Sequence, residues 1–241
     1  MSAEANVEGL IEKLFETLIA GDRPRARLVV QEAERTLGKP ESLIEDVFWP
    51  VYNNIEKLFR SHQIEPLAHH MASRLLRVLV DQTAGNLAFN TSRGKSILAF
   101  CGFSDADELG AQMGVDLLEA AGFRMTFGGG GIANDEIISR VNQTKPDVLL
   151  MFSSAAQDLP NIRELIDQLR EIGACPDIQI AVGGGVFNRA VGLAEEIGAD
   201  IWADSPLAMV ESLVECPEQR AEKGQQTVGR AKRANINRKA A

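Results

Sequence analysis

Cysteine is scarce and scattered in this chain: Cys101, Cys175 and Cys216 lie far apart and form no C-x-x-C pair. An odd, dispersed set excludes a disulfide framework and a thiolate zinc site, leaving buried, reduced thiols. No uncharged apolar run reaches about 18 residues, the length a membrane helix needs. Residues 1–9 carry two glutamates and no apolar segment. The sequence therefore predicts neither a membrane span nor a signal peptide, and a cytoplasmic location. Positive charge is also short, with a net charge of −9, which argues against nonspecific nucleic-acid binding by the main body. That balance reverses at the C-terminal end. From Pro217 onward seven basic residues (Arg220, Lys223, Arg230, Lys232, Arg233, Arg238, Lys239) face two acidic ones, so this tail carries about +5 and the remainder about −14. With so few apolar residues the tail, residues 217–241, does not fold alone. It reads as a solvated terminus, or as a contact for a protein partner or DNA.

What is present is hydrophobic content, 45% over 241 residues, enough for two small cores. In residues 7–20, Val7, Leu10, Ile11, Leu14, Phe15 and Leu18 recur at three- and four-residue steps and predict an amphipathic helix. A second is predicted over 24–36, opened by Pro24 and closed near Gly38 and Pro40. A third spans 41–60, with Pro50 expected to bend or split it. The fourth, 65–89, is expected to face Leu67, Met71, Leu75, Leu76, Val78 and Leu79 inward. Short loops between four such helices imply an antiparallel four-helix bundle over residues 1–90.

After a polar hinge at 90–94 the period changes. Apolar runs at 96–101, 124–127, 148–153, 178–182 and 200–203 alternate with helical patterns at 106–121, 134–143, 160–172, 188–197 and 206–214. Five strands with interposed helices make an α/β domain over 91–216 with a doubly wound parallel sheet. Ligands of such sheets bind at the carboxyl ends of the strands. The loops expected there are rich in glycine and serine: residues 102–110, Gly128 to Gly131, Ser153 and Ser154, and Gly183, Gly184 and Gly185. Glycines let a flat or bulky ligand approach the backbone, and the serines can hydrogen-bond its polar edges. Neither G-x-G-x-x-G nor a P-loop follows the first strand, and Asp105, Asp107 and Glu108 would repel phosphate there. The same acids suit Mg²⁺ in a receiver-type site, but no lysine ends the last strand.

Asp105-Ala106-Asp107-Glu108-Leu109-Gly110, Ser153-Ser154-Ala155 and Gly183-Gly184 stand in order, separated by 42 and 27 residues. This succession resembles the D-x-H-x-x-G, S-x-L and G-G elements of cobalamin-binding domains, of the methionine synthase and corrinoid-protein type. The preceding bundle is similar to the helical cap of corrinoid carriers and light-sensing cobalamin regulators. The resemblance spans roughly residues 7–214. It implies a flavodoxin-like (Rossmann-type) domain holding cobalamin, or a related tetrapyrrole such as haem, against the cap. Asp105, Asp107, Gly110, Gly128, Gly129, Ser153, Ser154, Gly183, Gly184 and Gly185 are then cofactor-binding candidates, with Phe59 in the cap.

Two positions depart from the family. Its motif histidine is the lower cobalt ligand, oriented by the preceding aspartate; Asp107 stands in its place here, and a carboxylate matches Co(III) poorly. The cofactor then keeps its own base, takes water, or is absent. In the cap, the W-H and E-H pairs of light-sensing relatives correspond to Phe59-Arg60 and His69-His70. The two adjacent histidines point about 100° apart on a helix, and His70, at the family's histidine, is the expected metal ligand, with His69 the alternative. Three functions follow: a binding sensor or regulator, favoured by the missing lower histidine; a corrinoid carrier for a methyltransferase; or a ligand-free scaffold for protein contacts. None makes the chain an enzyme by itself, since no nucleophile is paired with a base. Self-association is left open.

Overall fold

A computed structural model describes residues 3–173 and 175–221; the basic residues beyond 221, and any contact they were expected to make, lie outside it. The chain opens with α1 (Ala3–Ile19) and α2 (Arg23–Leu37), the latter capped by the Asp22 carboxylate and ended by Gly38 in the left-handed conformation. The third rod is one continuous helix rather than a split one. It runs through α3 (Pro40–Leu43), a π-turn (Ile44–Phe48) and α4 (Trp49–Arg60). Pro50 has no N–H for a bond four residues back, and its ring crowds the carbonyl there. The helix answers by widening just before it, with Trp49 N–H donating to Ile44.

The fourth rod, α5 (Pro66–Ala84), stops short of residue 89. Its inward stripe is Ala72, Leu75, Leu76, Leu79, Val80 and Thr83. Leu67 and Met71, expected inside, are exposed. They share a four-residue row with Leu75 and Leu79, but each step of four turns that row by about 40°, so its first two members fall off the buried face.

Residues 85–95 do not hang free. Asn90 N–H donates to Ala120, Arg93 N–H to Gly122 and Arg93 Nε to Ala121, while the Arg93 guanidinium lies 5.6 Å from the Phe123 ring centre.

The second half alternates β1 (Ser96–Cys101), α6 (Asp105–Ala120), β2 (Arg124–Gly130), α7 (Asn134–Thr144), β3 (Val148–Phe152), α8 (Leu159–Ile172), β4 (Gln179–Gly183), α9 (Gly185–Arg189), α10 (Leu193–Ile197), β5 (Ile201–Ala203) and α11 (Pro206–Glu215). The helix expected over 188–197 is thus two short ones, broken at Gly192 in the left-handed region. All strands are parallel in the order β2-β1-β3-β4-β5, the doubly wound flavodoxin-like arrangement. Fully buried β3 is an unbroken apolar run and β4 is apolar after Gln179, whereas edge strand β2 alternates in burial.

Helix α6 is the keystone. Leu109, Met113 and Leu117 join the bundle's Leu14, Phe48, Ile55 and Leu76 in one apolar cluster, while Val115 and Leu118 pack on the sheet. The start of the predicted tail is strapped down: the Gln179 amide donates to the carbonyls of Cys216 and Gln219, and Ala221 N–H to Asp200. No helix among the described residues is long and apolar enough to cross a membrane.

Candidate functional site

The carboxyl ends of β1, β3 and β4 carry three loops that lock together beneath the cap. Ser104 caps α6, its hydroxyl accepting from Asp107 N–H at 2.9 Å and donating to Asp107 Oδ2 at 2.6 Å. Asp107 is 2% exposed, and its Oδ1 accepts from Ser154 N–H at 2.7 Å. Ser154 in turn reaches the Tyr52 hydroxyl of α4 at 3.3 Å, and its carbonyl accepts from Arg189 at 2.7 Å. Next to it, Ser153 Oγ donates to Asp158 Oδ2 at 2.8 Å. Burial raises the Asp158 carboxyl above its ordinary range, the Ser153 bond opposes that, and the Asp107 charge adds to it.

Gly102 separates the two acids: a Cβ there would stand 2.5 Å from Asp158 Oδ2 and 2.6 Å from Asp107 Oδ2. At Gly184, φ is +106° and a Cβ would run into the Ser153 carbonyl. Only glycine permits this approach of the loop after β4, the fourth along the chain, to the loop after β3, the third.

Above them, α4 lays aromatic side chains on the sheet edge. Trp49 stacks on Tyr52 at 5.2 Å and meets Phe152 edge-on at 6.3 Å. Below Trp49 a slot runs between sheet, α6 and α11, lined by Gly110, Gly114, Gly183, Gly184, Ala203 and Met209; it encloses about 30 Å³, the room of about one water. On the other face of the sheet a wider cavity of about 310 Å³ lies among Phe100, Phe103, Ile137, Phe152, Asp158 and Ile162.

The expected residues therefore divide. Asp107, Gly110, Ser153, Ser154, Gly183, Gly184 and Gly185 converge. Asp105 does not: it is exposed, and only its carbonyl is engaged, by Arg77 of the cap. Gly128 and Gly129 stand on edge strand β2, where a Cβ at Gly128 would strike the Phe100 ring. In the cap, His69 Nε2 meets Glu56 Oε1 at 2.6 Å and its ring stacks on Phe59 at 3.8 Å; the motif-matched His70 is exposed. Among the described residues no three His, Cys, Asp or Glu side chains gather to hold a metal ion. Cys101, at the end of β1, is pushed up to about 12 by burial first and then by Asp107 and Glu108, which keeps it a neutral thiol.

Tyr52, Asp158 and Arg189 were not singled out from sequence. Tyr52 is the only tyrosine in the chain, and Asp158 is a lone acid five residues beyond the motif serine; Arg189 is the first cation after the triple glycine.

Residues 95–211 match the family described as "B12 binding domain", and residues 10–82 match a second family of that description. The chain is 22% identical over 202 residues to dimethylamine corrinoid protein 3 of Methanosarcina acetivorans, covering 83% of this chain and 93% of the relative. It is 24% identical to the trimethylamine corrinoid protein of Methanosarcina barkeri, with the same coverage. Among solved structures, the monomethylamine corrinoid protein of Methanosarcina barkeri superposes with a TM-score of 0.76 at 17% identity, over 86% of this chain and 98% of that one.

Proposed function

Since the chain belongs to the B12 binding domain family, we propose that it works as a corrinoid carrier, presenting the cofactor to a methyltransferase rather than sensing it. The carrying observation is coverage: the likeness to methylamine corrinoid proteins runs through cap and base alike, over 93% of their length. This favours the carrier over the sensor expected first, and over the ligand-free scaffold. The catalytic groups would then belong to the partner, and this chain binds and orients.

The sheet edge suits the lower portion of a corrinoid in the slot beneath Trp49, whose walls include the motif glycines Gly110, Gly183 and Gly184. At about 30 Å³ the slot is nearly shut, so the aromatic lid of Trp49 and Phe152 must shift to admit the cofactor's lower portion. When bound, the cobalt supplies the methyl-carrying centre. The protein's part is to seat the ring between cap and loops, with Gly184 letting backbone approach it and Tyr52 tying the cap to the third loop.

Reconstitution with hydroxocobalamin, reduction with titanium(III) citrate and exposure to isotopically labelled methyl iodide tests this. A carrier retains label through gel filtration and surrenders it to a methyltransferase with a thiol acceptor. Corrinoid retained without methyl uptake would return the case to a sensor.

A further inference from the structure

Resting on the corrinoid reading above, we infer that Asp107 is a latch between two loops, and that the cobalt face turned toward the sheet receives no ligand from the protein. Motif position would make residue 107 that ligand. Its geometry does not. The side chain is 2% exposed, Oδ2 accepts from the Ser104 hydroxyl at 2.6 Å and Oδ1 from Ser154 N–H at 2.7 Å. Gly102 closes over it, with no room for even a methyl group. Turning the carboxyl outward would strip a buried N–H of its acceptor, the costly kind of loss. Because Ser154 also holds Tyr52 and Arg189, the latch extends through the third loop to the cap and to the fourth loop.

No neighbour replaces it. The chain's three histidines, His62, His69 and His70, all belong to the bundle, so the loops after the strands have no imidazole. Ser153 donates its one hydroxyl proton to Asp158 while its oxygen accepts from Ala155 N–H, and Cys101 is a half-buried neutral thiol. The cofactor's own base, or water, therefore takes that face, and Asp105 has no ligand to orient.

The decisive measurement is electron paramagnetic resonance of Co(II)cobalamin, at natural isotope abundance, bound to nitrogen-15-labelled His70→Ala protein, which removes the exposed cap imidazole from consideration. A three-line axial splitting from the cofactor's base is expected, or, with no nitrogen splitting, the line broadening in oxygen-17 water that marks a water ligand. A two-line splitting from a labelled protein nitrogen, or a nitrogen-free spectrum that oxygen-17 water leaves unchanged, as a protein carboxylate would, overturns the inference. The latch is tested separately without cofactor. Asp107→Ala should lower Tm by roughly 5–10 °C and the milder Ser104→Ala by roughly 2–5 °C, whereas an unchanged Tm in both overturns it. Failure to retain any corrinoid sinks the functional reading and the cobalt half of this inference together, while the melting data still decide the latch.

Discussion

Asp116 sits on α6 where that helix packs against α5 of the cap. Its Oδ1 accepts from the Gln112 amide at 2.6 Å; its buried Oδ2 has no partner among the described residues. Burial pushes this carboxyl from 3.8 to about 6, the Gln112 bond opposes the rise, and the charges of Asp81 and Glu119 add to it. A folded-state value above the unfolded one means that the native protein holds the proton more tightly. Stability is then fully present below pH about 4 and is lost as pH rises through about 6. Roughly two units at about 1.36 kcal/mol each bound the effect at about 3 kcal/mol, and partial solvent contact brings it to about 1–3 kcal/mol. Asp116→Asn cannot ionise. Urea unfolding followed by circular dichroism between pH about 4 and about 8 should show parent and variant nearly equal at the acid end. At the alkaline end the variant should be more stable by about 1–3 kcal/mol. Stability curves that run parallel across this range would refute the reasoning.

Three further outcomes are expected. Gly184→Ala forces a side chain at φ +106° into the Ser153 carbonyl and should cost about 3 kcal/mol or more in chemical denaturation; a loss under about 1 kcal/mol contradicts the packing of loop three on loop four. Trp49→Ala removes the slot's lid and a 6% exposed core aromatic, costing about 3–5 kcal/mol while speeding hydroxocobalamin uptake in stopped-flow absorbance; unchanged uptake would place entry elsewhere. A double-mutant cycle on Glu56→Ala and His69→Ala should give a coupling of about 1–3 kcal/mol, since both side chains are largely buried around their 2.6 Å contact. Coupling below about 0.5 kcal/mol would mean that His69 is held by Phe59 alone.

Where local chemistry decides structure, the sequence was readable. The bounds of β1, the Ser- and Gly-rich strand ends and the helix stop at Gly38 follow from apolar runs and a left-handed glycine. The spacing of Gly110, Ser153 and Gly183 was enough to bring one sheet edge together. Long-range pairing was not readable. Nothing near Asp107 announces Ser154, 47 residues away, and so a latch reads as a damaged ligand motif. Nor does a four-residue step distinguish Leu67 and Met71 from Leu75 and Leu79 of the same row, because the row drifts by about 40° at each step and leaves the buried face at its start. The π-turn before Pro50 depends on how one helix absorbs a missing donor, a choice among bending, breaking and widening that the residue alone leaves open.

The central claim, that this chain seats a corrinoid between its cap and the carboxyl edge of its sheet, is tested most directly by cobalt retention. After incubation with hydroxocobalamin and gel filtration, cobalt by mass spectrometry should approach one atom per chain for the parent and fall sharply for Gly184→Ala. Parent protein that emerges colourless and free of cobalt would contradict the account.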